Sequence, residues 1–257
     1  MNSTRSFKLL SLGIVVIIVA TGGSGAVTIS EQNAPSEVPA GDQVTSTFVF
    51  GDLYRNPSME SWSLRGETEL RNVTWTVQSV NQADSVIDQR AYDGRTFQHP
   101  IRLDDGVATV NVRLSGSVPA VTNFTYTPAP SFLFAAFTQT REGGSRRTIQ
   151  TYQTRHFTAE SQRARSAIES ARSAIDDAGG HQEATRILES AISAYEVRNF
   201  ENAVNLANQA EERATSASRQ SQLIRNVTLG VVGLVVLAAI IGVGYWYRQR
   251  QGDGGTL

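Results

Sequence analysis

Twenty consecutive uncharged residues near the C-terminus, Val227 to Trp246 (VTLGVVGLVVLAAIIGVGYW), constrain this chain more than any other feature. At about 1.5 Å of rise per residue they make a helix of about 30 Å, the hydrocarbon thickness of a bilayer. A helix in a soluble core would keep a polar face, and this stretch has none. Tyr245, Trp246 and Tyr247 follow at its end, then Arg248 and Arg250. Aromatic rings at the interface and cations beyond them are membrane-interface anchors of the positive-inside kind. The expectation is a transmembrane helix over residues 226–247 with a short cytoplasmic tail at 248–257.

The N-terminus points the same way. Arg5 and Lys8 precede a 12-residue apolar run, Leu9 to Ala20, and then the small-residue stretch Thr21 to Ala26. This is the pattern of a signal peptide cleaved after Ala26. Apolar and small residues also extend from Leu9 to Val27, long enough for an uncleaved N-terminal membrane anchor, so both readings of residues 1–26 stay open. Either one places residues 27–225 outside the cytoplasm at the cell membrane.

Composition narrows what lies between. The chain has no cysteine, so an external domain is held by burial rather than by disulfides, and thiol chemistry is excluded. Its formal net charge is -1, with 22 arginines and a single lysine, Lys8. Residues 27–157 carry 11 basic and 13 acidic side chains, and residues 158–225 carry 8 and 10. Neither part offers the basic surface that nucleic acid requires, so no nucleic-acid partner is expected.

Residues 27–157 read as strands. Pro39-Ala-Gly-Asp-Gln43 is a turn leading into Val44–Phe50. In Asn72–Val77, Val73, Trp75 and Val77 alternate with Thr74 and Thr76, the period of a half-buried strand. Asp104-Asp105-Gly106 predicts a hairpin joining Ile101–Leu103 to Val107–Leu114, and Arg141–Ser145 a second one joining Ser131–Thr140 to Thr148–Arg155. The expected fold is an antiparallel immunoglobulin-like β-sandwich of seven to nine strands. From Thr158, a candidate N-cap, the period becomes helical, with Ala164, Ala167, Ile168, Ala171, Ala174, Ile175 and Ala178 on one face and a stop at Gly179-Gly180. Two more segments, about Gln182–Val197 and from Phe200 onward, complete an Ala-rich three-helix bundle over residues 158–225. No proline or glycine interrupts the chain between Phe200 and Gly230, so the third helix is expected to run on into the apolar segment.

The search for chemistry is negative. His99, His156 and His181 share neither a helix face nor a zinc-ligand spacing and are expected at exposed or capping positions. Asp104 with Asp105 and Asp176 with Asp177 sit at element ends, and Gly143-Gly144 marks a turn. No catalytic residue, cofactor site or metal site is expected. Asn72 and Asn123 open sequons that make them candidates for N-glycosylation, whereas Asn226 is at the membrane edge. Ala238-x-x-x-Gly242 has the small-residue spacing that lets two membrane helices pack, so a homodimer is an expectation.

The segment Ser193–Ala210 (SAYEVRNFENAVNLANQA) resembles the middle of a tetratricopeptide repeat, with Phe200, Ala203 and Ala210 at its aromatic and small positions and Arg198 where the repeat has glycine. Val38-Pro-Ala-Gly-Asp-Gln-Val-Thr45 is similar to the first strand of archaeal immunoglobulin-like surface domains. The layout of signal segment, sandwich, Ala-rich bundle, apolar C-terminal span and lysine-poor composition resembles a group of haloarchaeal surface proteins. That resemblance implies a signal transducer in pathways that set disk against rod cell shape. The function expected is therefore a non-enzymatic receptor or transducer, with an envelope component as partner outside and an unidentified membrane or cytoplasmic protein inside. The alternative is a structural or adhesive envelope protein.

Overall fold

In a computed structural model the described residues are 27–55, 60–141 and 143–217. They divide into two compact units. One runs to Asn123 and resumes over Pro128–Thr158; the other joins Phe124–Thr127 to the helices from Ala159 onward.

The first unit holds ten strands: β1 (Thr28–Gln32), β2 (Glu37–Pro39), β3 (Gln43–Gly51), β4 (Ser61–Glu67), β5 (Arg71–Val80), β6 (Val86–Asp93), β7 (Thr96–Arg102), β8 (Thr109–Ser117), β9 (Ser131–Thr140) and β10 (Arg146–Phe157). They form two five-stranded sheets, ordered β1-β3-β8-β5-β6 and β2-β10-β9-β4-β7. Alternation decides which side chains meet between them. Trp62 and Leu64 of β4, Phe97 and Ile101 of β7, Val73, Trp75 and Val77 of β5, and Val110, Val112 and Leu114 of β8 are buried, and most of their neighbours in sequence are not. Phe137 on β9 bridges the sheets, its ring 4.8 Å from Phe48 and 4.9 Å from Phe50 on β3. Each such ring contributes about 1.5–3 kcal/mol of burial. Gly66 on β4 pairs with Phe97 on β7, and an ideal Cβ there would stand 2.2 Å from the Phe97 ring, so the strand is glycine where the ring lies across it.

The expected fold is corrected in three respects. Among the described residues there are ten strands rather than seven to nine, because β6 and the short β2 carry too little alternation to be read from sequence. The sheets are not purely antiparallel: β2 runs parallel to β10, with Glu37 opposite Arg155 and Pro39 opposite Phe157. Finally, among the described residues no helix is long and apolar enough to cross a membrane, so the C-terminal transmembrane helix of the expected fold class is not supported. The segments to which that reading applied, residues 1–26, 226–247 and 248–257, lie outside the described residues.

The turn at Asp104-Asp105-Gly106 is also not a hairpin. Leu103–Asp105 is a single 3-10 turn closed by Gly106 at φ 69°, and it carries the chain from β7 in one sheet to β8 in the other. Among the described strands only β5–β6 and β9–β10 are joined as hairpins between paired neighbours; the other connections switch sheets. The β9–β10 hairpin expected around Arg141–Ser145 is present, with Arg146 opposite Thr140 and the Arg141 N–H donated to the Ser145 carbonyl at 3.0 Å.

In the second unit α1 (Ala159–Asp177) and α2 (Gln182–Glu196) are followed by α3, helical over residues 200–217. Their seams are Ala164, Ala171, Ala184, Ala191, Ala203, Ala207, Ala210 and Ala214, all fully buried. Gly179 and Gly180, at φ 77° and 88°, end α1, and the Gly180 N–H returns to the Ile175 carbonyl at 2.9 Å. His181 caps α2 by accepting from the Ala184 N–H at 3.2 Å. Arg198 makes the α2–α3 turn at φ 65°, a left-handed conformation that favours the glycine of the resembled repeat.

Candidate functional site

A surface concavity of the sandwich forms where β5 begins. Between the pairs Arg71–Ser117 and Thr74–Ser115, β5 has two residues, Asn72 and Val73, where β8 has only Gly116, so the strand carries one extra residue. Asn72 sits in that bulge at φ 50°. Gly94, at φ 101° between β6 and β7, fixes the opposite wall: its N–H donates to the Val73 carbonyl and its carbonyl accepts from Trp75 Nε1, both at 3.0 Å. The result is a cleft of about 620 Å³ lined by residues 70–74 and 93–95. Leu70 and Val73 are buried beneath it, and Arg71, Asn72, Thr74, Asp93 and Arg95 are exposed.

The charges there are unevenly used. Thr74 Oγ1 donates to Asp93 Oδ1 at 2.9 Å, which engages the one carboxylate. Arg71 and Arg95 make no ion pair among the described residues. Two guanidinium groups, ten N–H donors in fixed planes, thus flank an exposed amide on a rigid bulge. That arrangement suits an anionic, hydroxyl-bearing ligand.

The expected site residues fall in separate places. Asn72 lies in this cleft. Asn123 is exposed, immediately before the buried Phe124. Asp104 and Asp105 form the 3-10 turn, Asp176 and Asp177 are exposed at the end of α1, and Gly143 and Gly144 turn at φ 92° and 86°. Among the described residues no cluster of three histidine or carboxylate groups could hold a metal ion. Tyr245, Trp246, Tyr247, Arg248 and Arg250, together with Ala238 and Gly242, lie outside the described residues.

His181 is a cap as expected, but His99 and His156 are corrections: neither is exposed. The His156 ring is tilted against Phe132 at 5.2 Å, with Nδ1 3.0 Å from the Pro119 carbonyl. His99 is 2% exposed and lies between two hydroxyls, Nε2 3.2 Å from Ser79 Oγ and Nδ1 2.9 Å from Tyr92 Oη. Desolvation lowers its pKa below the usual histidine value, against an opposing pull from Asp88. Burial likewise raises the Tyr92 phenol. A serine, an imidazole and an orienting hydroxyl have the spacing of a nucleophile–base pair. Ser79 is only 3% exposed, so no substrate reaches it in this conformation. The three groups act instead as a polar clip between β5 and β6 in one sheet and β7 in the other. Alternation on β5 and β7 placed Ser79 and His99 on inward faces and was the signal available in the sequence.

No protein-family profile matches the chain, and no curated protein does. Among solved structures it is similar to the sporulation control protein Spo0M of Bacillus subtilis, at 10% identity and a TM-score of 0.29 over 57% of this chain and 55% of that one. It is also similar to the enzymatically active domain of tailspike protein 4 of bacteriophage CBA120, at 8% identity and a TM-score of 0.24 over 37% of this chain and 17% of that one. A third is a glycoside hydrolase family 2 β-glucuronidase, at 12% identity and a TM-score of 0.14 over 51% and 10%. The chain thus spans about half the length of Spo0M and less than a fifth of the other two. Likenesses this low carry no argument about function.

Proposed function

We propose that this chain is a non-enzymatic receptor or signal transducer of the cell membrane, with its sandwich outside the cytoplasm binding an anionic component of the envelope. The observation that carries the binding reading is the cleft in which Arg71 and Arg95 stand unpaired around the bulged Asn72. The basic and then apolar start supports the location. The resemblance to haloarchaeal surface proteins directs the output to cell shape, disk against rod, through a protein partner on the inner side.

An acidic polysaccharide such as a polyuronate is the direct probe, with neutral dextran as control. Arg71→Glu with Arg95→Glu should weaken polyuronate binding at least tenfold, and added salt should weaken the wild-type interaction. Unchanged binding by the double variant would exclude the cleft. Protease added to intact cells should cut the sandwich, and protection there would reject the external location.

A structural or adhesive role is favoured by one observation. β2 covers β10 only over residues 155–157, so the edge at residues 146–154 has no strand partner among the described residues. Removing residues 248–257 should silence a transducer while leaving surface display and adhesion intact.

A further inference from the structure

The helical unit contains four residues that belong to no helix, Phe124–Thr127, and holds them in the manner of a bound peptide. Phe124 and Tyr126 are 6% and 5% exposed. The Phe124 ring lies 5.0 Å from Phe200 and the Tyr126 ring 6.1 Å from Tyr195, both edge-on. The Tyr126 ring also carries two guanidinium groups, Arg165 at 4.4 Å and Arg172 at 5.1 Å. Its backbone is satisfied by side chains rather than by a sheet or helix ladder: the N–H donates to Glu196 Oε1 at 3.1 Å, and the carbonyl accepts from Arg165 Nη2. Ring pockets for alternate side chains and polar clamps on the backbone of the second aromatic residue are what a linear-motif receptor needs.

A second observation shows that this fit is incomplete. Arg165 Nε is buried and meets no acceptor among the described residues, whereas Nη1 of the same group pairs with Glu169 Oε1 at 3.4 Å. A buried guanidinium N–H left unmet disfavours the present arrangement relative to one that supplies an acceptor. The own segment follows Tyr126 with Thr127 and Pro128, neither of which is an acid.

We infer that the groove of α1, α2 and α3 is a recognition site for extended aromatic-x-tyrosine segments followed by a carboxylate, and that Phe124–Thr127 occupies it in cis. The tether sets the affinity a competitor must beat, since a segment on the same chain acts at an effective concentration in the millimolar range. A partner segment competes by supplying the carboxylate that Thr127 lacks. This does not depend on the proposed cleft, which lies in the sandwich.

The test uses the full chain and two fluorescent peptides, TNFTYTP copied from residues 122–128 and TNFTYDP with the acid. Phe124→Ala with Tyr126→Ala empties the groove, and this variant should bind TNFTYDP at least tenfold more tightly than the wild type does. It should also prefer TNFTYDP to TNFTYTP by threefold or more, and Arg165→Gln added to it should abolish that preference. Equal weak binding by wild type and emptied groove, with helix content retained, would overturn the inference. If the emptied variant unfolds, hydrogen exchange on the wild type decides: saturating TNFTYDP should speed exchange at Thr125 and Tyr126, and unchanged protection there would overturn it.

Discussion

The two units bury different kinds of residue. In the sandwich the largest fully buried side chains include Trp62, Trp75, Phe48, Phe50, Phe134 and Phe137, whereas eight alanines line the helical seams. A buried Phe contributes about 1.5–3 kcal/mol, and a methyl group about 0.8 kcal/mol. The sandwich is therefore stabilised by the area its rings cover, and the helices by how closely their backbones approach. The Ala-rich unit is short of large apolar side chains. It takes two of its rings, Phe124 and Tyr126, from a segment outside the helices. Composition alone would rank both units as ordinary cores; their response to substitution should differ in sign of volume.

The largest effect should come from emptying the sandwich. Phe137→Ala removes a ring that touches Phe48, Phe50 and Trp75, and should cost about 3–5 kcal/mol. The urea midpoint followed by Trp62 and Trp75 fluorescence reads this directly, since both tryptophans are buried in the sandwich. A loss below about 1 kcal/mol would mean the sheets close over the gap. The helical unit should fail in the opposite direction. Ala207→Leu forces a larger side chain into a fully buried seam and should cost about 1–3 kcal/mol, read as the far-ultraviolet helix signal against urea. Tolerance of leucine there would break the contrast.

Acid should separate the units next. His99 is held neutral in the sandwich, with its pKa pushed below the free value of about 6.5. Above pH 6.5 neither the folded nor the unfolded chain takes up a proton at this ring. As pH falls below that value the unfolded chain binds the proton first, so the stability from a neutral His99 is lost as pH drops through its folded pKa. The tryptophan-monitored midpoint should therefore fall between pH 7 and pH 5, and His99→Gln should flatten that part of the profile. An identical profile in the variant would remove His99 from the account. The smallest effect is expected at Arg198. Glycine would relieve its left-handed backbone but forfeit the Arg198 contact over Phe124 at 5.4 Å, so Arg198→Gly should change helical stability by less than about 1 kcal/mol.

Sequence periodicity located what is local. The alternation of Val73, Trp75 and Val77, the β9–β10 turn, the Gly179-Gly180 stop and the alanine seams all stand where their patterns placed them. It did not reveal which sheet a strand joins. Asp104-Asp105-Gly106 has the composition of a hairpin, yet a tight turn between strands of two sheets uses the same residues. The candidate cleft was half legible. Asn72 drew notice as a sequon, but its bulge depends on pairing with Ser115 and Ser117, more than forty residues away. Alternation places His99 on an inward face, but its two hydroxyl partners, and the helices around Phe124, belong to other elements and leave no local trace.

The parallel pairing of β2 with β10 has a mechanical consequence. β2 enters from the N-terminal side and β10 leaves toward the C-terminal side, joined by the Arg155 N–H on the Ser36 carbonyl at 3.0 Å and the Ala40 N–H on the Phe157 carbonyl at 2.8 Å. Once β1 has been drawn off β3, tension between the two ends would pull these strands past each other and load those bonds in shear, all at once, rather than unzipping them singly. A short three-residue strand thus gives the sandwich its grip against stretching.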